Sequence, residues 1–153
     1  NPLLQNLPAE VLVQSAKISK GENYEGLPYV MLDYPRCFGK EDVFAIRTFF
    51  WWGNFFTITL QLKGIYKKRY EENITRQILK ENLSGAFLNV SDEEWAHHLL
   101  PFNMQMVQLG DADKLSNKQI IKLVYQLQLT SWNEAEEFLA RVFDQYINLL
   151  AAS

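Results

Sequence analysis

Any chemistry this chain performs would have to begin with very few residues. His97 and His98 are its 2 histidines and Cys37 is its 1 cysteine. Adjacent residues on a helix point about 100° apart, so the two imidazoles do not converge on one metal as an i, i+4 pair would. Glu94-x-x-His97 has the spacing of half a dimetal-carboxylate site, but the second copy that such a site needs is missing from the sequence. The histidines are therefore expected on a helix surface or in a capping role, with no metal and no cofactor. A nucleophilic pairing of Cys37 with His97 or His98 has no support either, because Cys37 opens no helix and sits in no recognisable nucleophile signature. The sequence has no Walker loop, Gly-x-Ser-x-Gly elbow, CxxC pair or dinucleotide fingerprint. Hydrolase, kinase and oxidoreductase chemistry are all without a motif, and no residue is assigned a catalytic role.

The charged residues near the middle of the chain are more informative. Asp33 alternates with Tyr29 and Met31, and Arg36 and Arg47 are the nearest counter-ions. A structural ion pair is the expected outcome, because charges near a sheet are usually held by partners. The functional version would make Arg47 an anion clamp with Trp51 stacked above it. Arg47 lies in the aromatic stretch IRTFFWWGNFFTITLQL, residues 46–62, which reads as two β-type halves around Trp52-Gly53-Asn54.

Register decides what that stretch presents. Phe56, Ile58, Leu60 and Leu62 alternate with Phe55, Thr57, Thr59, Gln61 and Lys63, so the even positions should face the core. A two-residue loop would set Arg47 opposite Leu60 and bury a guanidinium. A three-residue loop, over 52–54 or 53–55 and with Asn54 free to turn left-handed, instead matches Phe44, Ile46, Thr48 and Phe50 to the even residues. The opposite face then carries Arg47, Phe49, Trp51, Phe55, Thr57 and Thr59, a mixture of rings, hydroxyls and one cation. Helices of the protein itself are expected to cover most of such a face. If it holds a ligand, these six residues line the site, with Arg36, Glu22, Asn23 and Tyr24 at its rim. Trp51 and Phe55, at the hairpin tip, are expected to form the edge of a binding or self-association surface, and a homodimer is one use of it.

Around this hairpin, Pro8 to Ile18 reads as a short helix, GENYEGLP as a loop, Tyr29 to Tyr34 as a strand stopped by Pro35, and Arg36 to Asp42 as a polar connection. Ile65 to Leu83 is helical, with Tyr66, Tyr70, Ile74 and Ile78 in one stripe. Its Lys67-Lys68-Arg69 run sits beside Glu71 and Glu72 and reads as a solvated face. Phe87 to Val90 is extended. Ser91 to Glu94 is a capping box for a brief helix ending at Pro101. Within Met104 to Leu129 both a strand and a helix fit, and the long alternation from Ile121 to Leu129 favours the strand. Ser131 to Glu134 caps a C-terminal helix with a broad apolar face from Trp132 to Leu150.

A chain of 153 residues with 48% hydrophobic content suits one domain, residues 1–153, with a sizeable core. Its 14% aromatic content is rich, and its net charge of −3 argues against nucleic acid and anionic membrane as partners. No run reaches the roughly 18 apolar residues of a membrane span, and no secretory signal opens the sequence. The triplets at Asn73, Asn82 and Asn89 are read as chance matches to a glycosylation pattern. With Cys37 alone, the expected setting is cytoplasmic. Together these features predict an α+β domain in which an antiparallel sheet is built around a central hairpin, about 43–63, with helices packed on it. The expected function is a non-catalytic binding or protein-interaction role. The alternative is an enzyme or a binder of an anionic or aromatic small molecule, with its pocket around Arg47 and Trp51.

Overall fold

The computed structural model describes residues 2–24, 26–52, 55–90, 104–128 and 133–151, apart from the Tyr24 side chain. Seven strands form one antiparallel sheet: β1 (Lys17–Tyr24), β2 (Leu27–Phe38), β3 (Val43–Trp51), β4 (Phe55–Lys63), β5 (Phe87–Asn89), β6 (Met104–Met106) and β7 (Ile120–Gln128). Their spatial order is β1-β2-β3-β4-β7-β5-β6, so the β3–β4 hairpin is central, as its apolar content requires. The described helices are α1 (Ala9–Val13), α2 (Ile65–Leu79) and the long C-terminal α3 (Ala135–Ala151). The predicted α+β architecture is the observed one.

Hairpin register follows the apolar match. Trp51 opposes Phe55, Phe50 opposes Phe56 and Ile46 opposes Leu60, which leaves residues 52–54 as the connection. Arg47 accordingly faces Thr59 and not Leu60. The conformation of Gly53 and Asn54 lies outside the described residues. Phe44, Ile46, Ile58, Leu60 and Leu62 join one core with the predicted Tyr66, Tyr70, Ile74 and Ile78 stripe of α2 and with Phe138, Val142 and Tyr146 of α3. Both long helices therefore pack on the even-numbered face of the hairpin. The Tyr146 hydroxyl reaches into the sheet, 2.9 Å from the Ile58 carbonyl oxygen and 2.7 Å from that of Leu123, with its single proton shared between them.

Gly64 fixes where α2 begins. Its φ is 66°, and a Cβ there would collide with Asp42. That close approach lets Asp42 Oδ1 accept the Ile65 N–H at 2.9 Å, so a residue from before the hairpin satisfies a free donor at the helix start.

Several boundaries differ from the sequence reading. Helix α1 stops at Val13, and Lys17 and Ile18 belong to β1. Of GENYEGLP, expected as a loop, Gly21 to Tyr24 belong to β1 and Leu27 and Pro28 to β2; Lys17 to Gly21 pair regularly with Asp33 to Tyr29, and the register shifts before Tyr24. Gly21 is tolerated because the Tyr29 ring lies where its Cβ would be, covering a position with no side chain of its own. Pro35 does not stop β2. The strand runs through a cis Tyr34–Pro35 bond, and its register shifts between Asp33 and Arg36. A proline cannot donate to the ladder, and a bulge is where a sheet accommodates it. Arg36 and Phe38, expected in a polar connection, are thus still in the strand.

Helix α2 ends at Leu79, short of Leu83, in a turn that contains Glu81 at φ 59° and Gly85 at φ 88°. The strand expected toward the end of the Met104 to Leu129 segment is β7, but β6 and short 3-10 turns at Leu109–Asp113 and Leu115–Asn117 precede it. Asn89 ends β5 with its side chain in the ladder: Nδ2 donates to the Ile120 carbonyl at 2.8 Å, and Oδ1 accepts the Lys122 N–H at 2.9 Å. The capping boxes expected at Ser91 and Ser131, and Trp132, fall wholly or partly outside the described residues.

Candidate functional site

The predicted site residues come together on the odd-numbered face of β3 and β4. Arg47, Phe49 and Trp51 stand opposite Thr59, Thr57 and Phe55 respectively. Because the bulge in β2 brings Arg36 opposite Ala45 and Phe38 opposite Val43, those two residues share this face. The ion pair expected for Asp33 is present and bidentate, with Arg47 Nε 2.6 Å from Oδ1 and Nη2 3.0 Å from Oδ2. The Arg47 guanidinium also lies 5.9 Å from the centre of the Phe38 ring. Asp33 and Arg47 side chains are only 2% and 11% exposed. The guanidinium fork is thus matched by a carboxylate of the same sheet. An external anion would have to compete with that carboxylate for the same two donors.

Rings continue this face toward the hairpin tip. Tyr29 and Phe49 have centroids 5.7 Å apart, Phe49 and Phe55 6.5 Å, and Trp51 and Phe55 5.6 Å. Phe49, Phe55 and Thr57 are buried, while Trp51 is half-buried. None of these four belongs to the core cluster under α2 and α3, so the odd face is a second buried layer.

Of the rim residues, Arg36 shares this face by register. Arg36 Nε donates to the Ser15 carbonyl at 3.0 Å, and Asn23 Oδ1 accepts the Gly26 N–H at 2.9 Å. Glu22 is exposed, and Tyr24 pairs with Leu27 at the strand end.

Two further polar residues on this face are not among the site residues expected from sequence. Gln61 and Lys122 are register partners on β4 and β7, and both are buried. Gln61 Nε2 has no hydrogen-bond acceptor among the described residues. Their alternation with apolar neighbours was legible, but polarity suggested solvent, and only the burial of both sheet faces reverses that inference.

The even face has an open end. Cross-strand rows place Ile18 beside Leu32 and Thr48, then Lys20 beside Val30 and Phe50. Beyond them the Trp52 N–H donates to the Pro28 carbonyl at 3.0 Å. Here Ile18 is 64% exposed, Leu32 38% and Trp52 56%. A groove of about 510 Å³ runs past Lys20, Gly21, Glu22, Pro28, Val30 and Trp52. Trp52 packs edge-on against the half-buried Phe50 at 5.0 Å, and Phe50 stacks on the buried Phe56 at 4.7 Å, so the exposed indole is anchored to neighbouring rings. The solvent-facing ring at the tip is therefore Trp52, whereas Phe55, expected at an exposed edge, is buried.

A third constellation joins α1 and α2. The Tyr66 hydroxyl donates to Glu10 Oε1 at 2.9 Å. Burial, then hydrogen bonds to Cys37 and Glu10, push the Tyr66 hydroxyl well above the ordinary tyrosine value. A backbone hydrogen bond and the Tyr66 hydroxyl hold Glu10 below its ordinary value. These opposite shifts fix the proton on Tyr66 near neutral pH, and the pair is unsuited to proton transfer there.

Among the described residues no group of three or more His, Cys, Asp or Glu is placed to hold a metal ion. Glu94, His97 and His98 lie outside them. No described helix is long and apolar enough to cross a membrane. No protein-family model, curated protein or solved structure matches this chain.

Proposed function

We propose that this chain is a non-catalytic protein-interaction module whose contact surface is the open end of the even sheet face, centred on Ile18, Leu32 and Trp52. One observation carries the reading. Large apolar side chains stand exposed together on the face that α2 and α3 cover elsewhere, so exposed apolar surface is clustered there instead of scattered singly, which favours a small contact site. The anchored Trp52 supports it, since a tryptophan held by neighbouring rings orders little further on binding. The net charge of −3 favours a protein partner over nucleic acid. The lone Cys37 supports a cytoplasmic setting.

The test is selection of a displayed peptide library on the immobilised protein, with binders located by amide chemical shifts. Selected peptides should perturb the Ile18, Leu32 and Trp52 surface and lose binding to Ile18→Ser and to Trp52→Ala. Both variants should stay within about 1 kcal/mol of the parent stability in urea, because neither residue is core. Phe49→Ala, by contrast, should cost roughly 3–5 kcal/mol. Binders indifferent to both surface variants would overturn the reading.

A second reading rests on Gln61. A buried amide donor without an acceptor, beside Lys122 and on the Arg47 face, supports a small polar ligand lodged in that layer. It predicts a bound small molecule that survives purification, is seen by native mass spectrometry, and is lost in Gln61→Leu.

A further inference from the structure

We infer that β1 is a docking edge for an extended, acidic peptide segment of a partner, which adds to the sheet as an outer antiparallel strand. The inference rests on the interaction reading above and names the class of partner.

Four observations carry it. First, β1 is an edge strand of 8 residues, against 3 in β6 at the other edge. Among the described residues Lys17 to Gly21 make no backbone hydrogen bond outside their pairing with β2. Their outward N–H and C=O groups form a regular ladder, which the bulge before Tyr24 ends.

Second, the ladder is basic and its charges are available. Lys17 and Lys20 are exposed, and among the described residues neither is in an ion pair. Lys17 stands opposite Asp33, but that carboxylate is taken by Arg47. An incoming strand with acidic residues opposite both lysines gains cross-strand pairs on each face of the sheet, while a basic strand is repelled.

Third, Ile18 shares the open apolar face with Lys20, and its neighbour on an added strand would cover it. Fourth, the patch is small. Three strands by three rows span about 15 Å on a side, on the order of 200 Å², whereas a stable folded interface needs about 800 Å² per partner. That excludes a second folded copy held by this patch alone and suits a short segment, which draws its affinity from backbone hydrogen bonds and its selectivity from alternate side chains.

Antiparallel to Lys17-Ile18-Ser19-Lys20, the matching order is Glu-Thr-Val-Glu. The probe is a capped octapeptide with this centre, beside one with Lys in place of each Glu, and two forms of the first that are N-methylated at the two alternate sets of residues. Titration into the full chain should protect amides within Lys17–Gly21 from exchange and shift Ile18, Leu32 and Trp52. One N-methylated form should fail to bind, because its blocked N–H groups face β1, while the other binds as the parent does. The double variant Lys17→Glu, Lys20→Glu should bind the Glu peptide at least ~10-fold more weakly and take the Lys peptide instead.

Equal binding of Glu and Lys peptides, or undiminished binding of both N-methylated forms, would overturn the proposal. Shifts on the Ile18, Leu32 and Trp52 surface without amide protection in β1 would remove strand addition but leave the interaction surface standing. No binding by any probe would remove strand addition too, and the library selection above would still judge the surface independently.

Discussion

At the scale of single residues, the Asp33–Arg47 pair decides how the odd face behaves. One bidentate pair of hydrogen bonds at low exposure means that each ion was taken out of water and is stabilised in large part by the other. Removing one partner leaves the second buried without that counter-ion. Asp33→Ala should lower stability in urea by roughly 3–5 kcal/mol. The double replacement Asp33→Leu, Arg47→Met should recover most of that loss, as buried ion pairs exchanged for apolar side chains of similar size commonly do. If Asp33→Ala costs under about 1 kcal/mol, the pair is solvated like a surface bridge and the face is wet. Both charges were legible in the sequence because each interrupts an apolar β segment and needs a counter-ion. Arg36 shows where legibility ends. Sequence spacing makes it as good a partner as Arg47, and only the bulge at Pro35, a feature of pairing between strands, directs it to Ser15 instead.

At the scale of elements, periodicity read well and punctuation read poorly. The hairpin register, the α2 stripe and α3 all follow from apolar spacing, because burying one face fixes phase along an element. Gly21, Gly26, Pro28 and Pro35 suggested loops and a stop, yet each is absorbed into β1, β2 or the tight turn between them. A sheet tolerates such residues at an edge, near a strand start or at a bulge, and position in the sheet is a tertiary property. Gly64 is the contrasting case, where glycine does mark a boundary. Its positive φ and the approach of Asp42 leave no room for a side chain. Gly64→Ala should therefore destabilise the protein by about 1–3 kcal/mol, through backbone strain and displacement of the Asp42 cap. Asp42→Ala should cost about 1 kcal/mol by losing the cap alone. Because both act on one hydrogen bond, the double variant should fall short of their sum, and a urea-denaturation cycle checks this. Strict additivity would mean that Asp42 and Gly64 act separately.

At the scale of the whole molecule, the aromatic content that stood out in the sequence divides into an exposed ring, Trp52, a second buried layer around Phe49, and a core in which tyrosines carry hydroxyls inward. Burial raises Tyr66, Tyr70, Tyr125 and Tyr146 above the ordinary value, 4 of the chain's 7 tyrosines. Tyr146 is fully buried, and Tyr70 holds a hydroxyl with no acceptor. Neither can ionise without bringing charge into the core. When the pH rises past the unfolded value near 10, the unfolded chain releases these protons while the folded chain keeps them. The folded state then binds more protons, so stability must fall with rising pH, from about 10 upward to the folded values and with no contribution below that window. Urea midpoints should be flat with respect to these groups up to about pH 9 and decline steeply beyond pH 10. Tyr146→Phe removes a hydrogen bond worth about 1 kcal/mol, and so lowers the neutral plateau, but it also removes one of the retained protons. Its alkaline decline should be shallower than that of the parent, and the two curves should converge as pH rises. Parallel curves would show that Tyr146 ionises as readily folded as unfolded, which is incompatible with a hydroxyl held between two strands of the central sheet.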